Sequence, residues 1–99
     1  MVYSVNEIKM RLTPIFETAP VYKAVLFGSY AKGLATESSD VDIVIDSRGE
    51  LLNIHFYGVL EDVTQVLNKK VDLLELSEVQ NGSMIWNDIN NDGVTLYEQ

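Results

Sequence analysis

Residues 40–46, DVDIVID, set the tightest limit on what this chain can fold into. Val41, Ile43, Val44 and Ile45 are β-branched and apolar, the composition of a buried strand. Asp40 and Asp42 interrupt that run with carboxylates. Side chains alternate faces along a strand, so Asp40 and Asp42 point one way and Val41, Ile43 and Ile45 the other, toward packed helices. Two like charges so close repel, and each resists burial. A divalent cation that binds both removes the conflict. Hard cations such as Mg²⁺ take carboxylate oxygens together with substrate phosphates.

The run Val71-Asp72-Leu73-Leu74 repeats the pattern, a lone acid within an apolar strand. If the two strands pair, Asp40, Asp42 and Asp72 meet at one end of a sheet. Three carboxylates suit two metal ions about 3.5–4 Å apart, the arrangement that serves in-line phosphoryl or nucleotidyl transfer. Upstream, Gly28-Ser29 closes another β-type run over 21–27. Glycine lets backbone approach a ligand closely. Ser29 is expected to cap a short helix over 29–34, whose free N–H groups and positive dipole end attract phosphate. One segment thus offers a phosphate cradle, and the next strand offers metal ligands.

The remaining periodicity completes an alternating order. Ser4 and Glu7 have capping-box spacing, and Val5, Ile8, Leu12, Ile15 and Phe16 recur at helical intervals. They predict a helix over 5–17, strained near Pro14. Leu51, Leu52, Ile54, Phe56, Tyr57, Val59, Leu60, Val63, Val66 and Leu67 predict a second long helix reaching about residue 68. Lys69 and Lys70 would close it, where cations suit the dipole. A strand over 71–76, a helix over 77–90, a turn at Asn91-Asp92-Gly93 and a strand over 94–97 follow. The order αβαβαβαβ favours an α/β (α+β) sheet with helices packed against it. Met84 and Trp86 are assigned to the core, and His55 to an ordinary surface or boundary position.

At 99 residues the expectation is one domain over 1–99. No signal peptide or apolar run long enough for a membrane span is visible, so the chain is expected to be cytoplasmic. The absence of cysteine excludes disulfides and thiolate metal sites. Seven Lys and Arg stand against fifteen Asp and Glu, a formal net charge of −8. Beyond residue 70 there are six acids and no Lys or Arg. Direct nucleic-acid binding is disfavoured, because neutralising phosphates needs basic side chains. A basic protein partner or a divalent cation fits the sign of the charge.

Gly28-Ser29, a ten-residue spacer, and Asp40-x-Asp42 together resemble the signature of the DNA polymerase β-type nucleotidyltransferase superfamily. The shortness of the chain is similar to its minimal nucleotidyltransferases. The likeness runs through KAVLFGSYAKG, SSDVDIVID, GVLEDVTQVLNKKVDLLEL and DGVTLYE. It implies a small mixed sheet flanked by helices and transfer of a nucleoside monophosphate to a hydroxyl, with pyrophosphate leaving. Many proteins of this kind are antitoxins of two-gene pairs whose toxin is a HEPN-domain ribonuclease. For that branch the resemblance implies transfer of AMP from ATP to a tyrosine of the toxin.

Carried onto this chain, the resemblance implies that Gly28, Ser29 and Lys32 hold the triphosphate. Asp40, Asp42 and Asp72 would bind the Mg²⁺ ions, with Asp72 serving the acceptor hydroxyl. Lys32 stands where the family commonly has Arg, and lysine lacks the bidentate fork for phosphate. Leu34 stands where many members have Glu, and the common Pro near Glu37 is missing. Two other readings stay open. One is an antitoxin that acts by binding alone. The other is a transferase that modifies a small-molecule hydroxyl with the help of a partner subunit.

Overall fold

The structure, a computed structural model, describes residues 2–51 and 53–99. It contains α1 (Val5–Thr18), β1 (Lys23–Phe27), α2 (Gly28–Lys32), β2 (Val41–Asp46), α3 (Ile54–Leu67), β3 (Val71–Glu75), α4 (Met84–Asp92) and β4 (Val94–Glu98), with a 3₁₀ turn at Leu76–Glu78. The four strands form one sheet in the order β3-β2-β1-β4. β1 is antiparallel to β2 and β4, whereas β2 and β3 are parallel. This is the expected small mixed sheet. Among the described residues, no helix is long and apolar enough to cross a membrane.

α1 begins where the capping box predicts. The Glu7 N–H donates to Ser4 Oγ at 3.1 Å, and the Ser4 N–H donates to Glu7 Oε1 at 2.9 Å. Pro14 lies inside α1 without ending it. Ile8, Leu12 and Phe16 of α1 and Val59, Val63 and Leu67 of α3 are buried against Ala24, Leu26, Val41, Ile43, Ile45 and Leu96 of the sheet. α3 is the crossover that joins the parallel strands β2 and β3. The Tyr3 hydroxyl donates to the Leu67 carbonyl at 2.7 Å and ties the start of the chain to the end of α3. Not every strand carboxylate is a site candidate. Glu75 is buried but fully engaged, accepting from the Ser47 N–H at 3.2 Å and from Ser47 Oγ at 2.8 Å.

The second face of the sheet is only partly covered. Val25 and Val44 line a hollow of about 170 Å³ there together with Trp86 and Ile89 of α4. No residue of α4 is fully buried. Several expectations change in this region. The helix foreseen over 77–90 is instead the 3₁₀ turn followed, after a break, by α4. Gly82 sits at φ +81°, and Ser83 restarts the helix by accepting from the Trp86 N–H at 3.1 Å. The foreseen turn at 91–93 shrinks, because α4 runs to Asp92 and only Gly93 separates it from β4. Met84 is 84% exposed rather than in the core, and Trp86 is half-buried. His55 is exposed as expected. Leu52, counted in the apolar run ahead of α3, lies outside the described residues.

Candidate active site

Strand register assembles the site. Phe27, the last residue of β1, pairs with Asp42 on β2, and Asp42 pairs in turn with Asp72 on β3. Because β1 runs against β2 while β3 runs with it, the end of β1 and the starts of β2 and β3 meet at one edge. Gly28 therefore leaves the sheet beside Asp42. Its φ is +73°, a left-handed value that favours glycine, and a Cβ there would collide with the Asp42 carboxylate. Val41, Ile43 and Ile45 are fully buried toward the helices, as the alternation requires, while Asp42 is half-buried on the opposite face.

Asp42 and Asp72 line a cleft of about 370 Å³ together with Phe27, Gly28, Leu60, Val71, Leu73, Leu74, Ile85 and Asp88. The Asp42 carboxyl is pushed up to about 6. Burial contributes most, followed by the charge of Asp72 and a hydrogen bond with it, then the charges of Asp40 and Asp88. A larger hollow of about 580 Å³ lies between the end of α1 and the start of α3. His55 lines it, but none of Gly28, Ser29, Lys32, Asp40, Asp42 and Asp72 does.

Asp40 is placed just ahead of β2, with Oδ2 at 3.7 Å from Lys70 Nζ. Among the described residues, no group of three or more His, Cys, Asp or Glu side chains is drawn together tightly enough to hold a metal ion. The structure thus brings Asp42 and Asp72 together and leaves Asp40 paired with a lysine. The chemistry of the pair still fits a hard divalent cation. Both donors are carboxylate oxygens on adjacent strands, and their mutual repulsion is what such an ion relieves.

Ser29 is half-buried but caps nothing. Phe27 occupies the N-cap position of α2 without a side-chain bond, and Gly28 opens the helix. The early turn that Gly28 permits moves Ser29 one place into α2. Lys32 lies in the last turn of α2 and pairs with Asp88 of α4, Nζ to Oδ1 at 3.6 Å. Lys69 and Lys70 do not close α3. Asn68 turns the chain out of the helix at φ +52°, and the two lysines reach the 37–40 segment instead, Lys69 Nζ donating to the Glu37 carbonyl at 3.3 Å. The sequence reading missed Asp88. Its one signal was its place three residues after Ile85 on the same helical face.

Residues 7–94 match the nucleotidyltransferase domain family. The chain belongs to that family. This nucleotidyltransferase is 34% identical over 77 residues to a candidate protein adenylyltransferase of Methanocaldococcus jannaschii, a match covering 77% of this chain and 82% of the relative. It is 37% identical over 57 residues to the protein adenylyltransferase MntA of Thermococcus cleftensis, covering 58% of each. Among solved structures, it resembles a chain of a toxin–antitoxin pair determined with AMP-PNP, with a TM-score of 0.77 at 22% identity over 92% of this chain and 73% of that one. It also resembles a chain of the complex between the tri-AMPylated Shewanella oneidensis HEPN toxin and its MNT antitoxin, with a TM-score of 0.72 at 18% identity over 96% and 73%. At these identities the structural likeness establishes the nucleotidyltransferase fold.

Proposed function

We propose that this nucleotidyltransferase transfers AMP from ATP to a tyrosine hydroxyl of a HEPN-type toxin and thereby acts as its antitoxin, with Mg²⁺ as cofactor. The observation that carries the reading is the register of Phe27, Asp42 and Asp72 across three adjacent strands, which sets Gly28 beside the carboxylates. One relative is named a candidate protein adenylyltransferase and the other a protein adenylyltransferase, which supports protein as the acceptor. The toxin complexes that share the fold support the kind of partner. A net charge of −8, with no Lys or Arg after residue 70, suits a basic partner surface.

In this reading the Gly28 backbone, the Ser29 hydroxyl and Lys32 hold the triphosphate. Glycine at position 28 allows the phosphates to lie against the main chain beside Asp42. Asp42 and Asp72 would hold Mg²⁺, and Asp40 would join them on release from Lys70. Bound there, Mg²⁺ would neutralise charge on the phosphates and lower the pKa of the acceptor hydroxyl. Asp72 is exposed in the cleft, where it can take the proton of the incoming hydroxyl. The hydroxyl oxygen attacks the α-phosphorus of ATP, the bond to the bridging oxygen breaks, and pyrophosphate leaves with that electron pair.

The carboxylate pair makes a direct prediction about the donor. In calorimetric titrations, ATP should bind in the presence of Mg²⁺ and fail to bind in EDTA, because the paired carboxylates repel a bare triphosphate. Equal affinity under both conditions would remove the metal from the reading.

A further inference from the structure

Lys70 and Lys32 are each engaged by an aspartate. Lys70 pairs with Asp40 at 3.7 Å, and Lys32 pairs with Asp88 at 3.6 Å. The second pair concerns the nucleotide. Lys32 belongs to the helix that Gly28 opens, while Asp88 lines the same cleft as Gly28, Asp42 and Asp72. We propose that Asp88 is an internal competitor for the triphosphate: it holds Lys32 at the cleft before ATP arrives and must surrender it when ATP binds. The proposal rests on the reading of Lys32 as a triphosphate contact.

The geometry favours a competitor over a strut. The pair joins α2 to α4, and its side chains are 35% and 41% exposed. A pair so open to water shifts an equilibrium by about five-fold at most, so a triphosphate can displace it. α4 has no fully buried residue to hold Asp88 rigidly in place. The charge of Asp88 also reaches Asp42, which puts it within electrostatic range of the phosphates that Asp42 would face. Asp88 acts through Lys32, so it is a positioning residue whose signature is affinity for ATP.

The test is calorimetry of ATP with Mg²⁺ on the wild type, Asp88→Asn, Asp88→Glu, Lys32→Ala and the double variant Asp88→Asn/Lys32→Ala, with a thermal melt of each. Asp88→Asn should tighten ATP by about two- to five-fold at low salt, and the gain should fade as salt screens it. Asp88→Glu, which keeps the charge, should stay near wild type. Most of the gain should vanish when Lys32 is already alanine, since the double-variant cycle isolates the competition. An equal gain with and without Lys32 would reduce Asp88 to diffuse repulsion and overturn the proposal. Unchanged or weaker binding in Asp88→Asn would also overturn it, and an accompanying lower melting temperature would make the pair a strut. If the wild type binds no ATP at all, the nucleotide reading itself fails. If it binds ATP but Asp88→Asn binds no better, only this inference fails.

Discussion

Asp42→Asn is expected to abolish transfer and yet yield a more stable metal-free protein. The two effects have one cause. Folding half-buries Asp42 against Asp72, which moves its carboxyl from 3.8 up to about 6. An acid whose folded pKa is raised is stabilising while protonated. Between roughly pH 4 and 6 the folded chain holds a proton that the unfolded chain has lost, so stability falls as pH rises through that window. By pH 7 the full penalty is present. The shift corresponds nominally to about 3 kcal/mol, but Asp42 is open enough to solvent that screening leaves about 1 kcal/mol. Asparagine keeps the shape and removes the charge.

The variant's melting temperature should therefore exceed the wild type's at pH 7 in EDTA by about 4–8 °C. The gap should narrow as pH falls from 6 to 4 and close below about pH 3, where Asp42 is protonated in both states. Transfer should fall by at least about 10²–10³, the usual cost of losing a group that stabilises charge in the transition state. Equal melting temperatures at pH 7 would mean that Asp42 carries no strain. Retained transfer would remove it from the chemistry.

Gly28→Ala should damage both fold and site, with Gly33→Ala as its control. Both glycines have a left-handed φ, +73° and +74°. A side chain at either costs about 1–2 kcal/mol in backbone strain. Around Gly33 a Cβ meets nothing within 4 Å, whereas at Gly28 it runs into the Asp42 carboxylate. That carboxylate is hemmed in by Asp72 on the next strand and cannot swing aside without disturbing the pair. Gly33→Ala should lower stability modestly and keep ATP binding. Gly28→Ala should lower stability further and lose ATP binding in calorimetry. If the two variants behave alike, the contact between Gly28 and Asp42 has no functional weight.

The sheet and the paired carboxylates were legible because they rest on period-2 alternation. Val41, Ile43 and Ile45 can only face the core if Asp42 faces away, and β3 repeats the pattern with Asp72. Gly28 was legible as a break after an apolar run. What the sequence hid depended on tertiary neighbours. Nothing in Asp40 alone indicates that Lys70 pairs with it, since that pairing needs the exit from α3 at Asn68 to bring the lysine back. Ser29 looked like a cap because helix propensity does not reveal that Gly28, at positive φ, already starts the turn. The segment 77–90 carried a helical composition, but Gly82 and Ser83 divide it. Met84 reads as core by residue type, yet it sits at the first turn of a helix that covers only part of a sheet face. Asp88 became visible only once α4 was seen against α2.

The central claim is transfer of AMP to a protein hydroxyl, and intact-mass spectrometry of the HEPN-type partner tests it most directly. After incubation of the purified partner with this protein, ATP and Mg²⁺, the partner should gain the mass of one or more adenylates. Fragmentation should place each on tyrosine, and Asp42→Asn should leave the partner unmodified. A partner that forms a stable complex with the wild-type chain, loses its toxicity and still shows no added mass would contradict the account and identify neutralisation by binding alone.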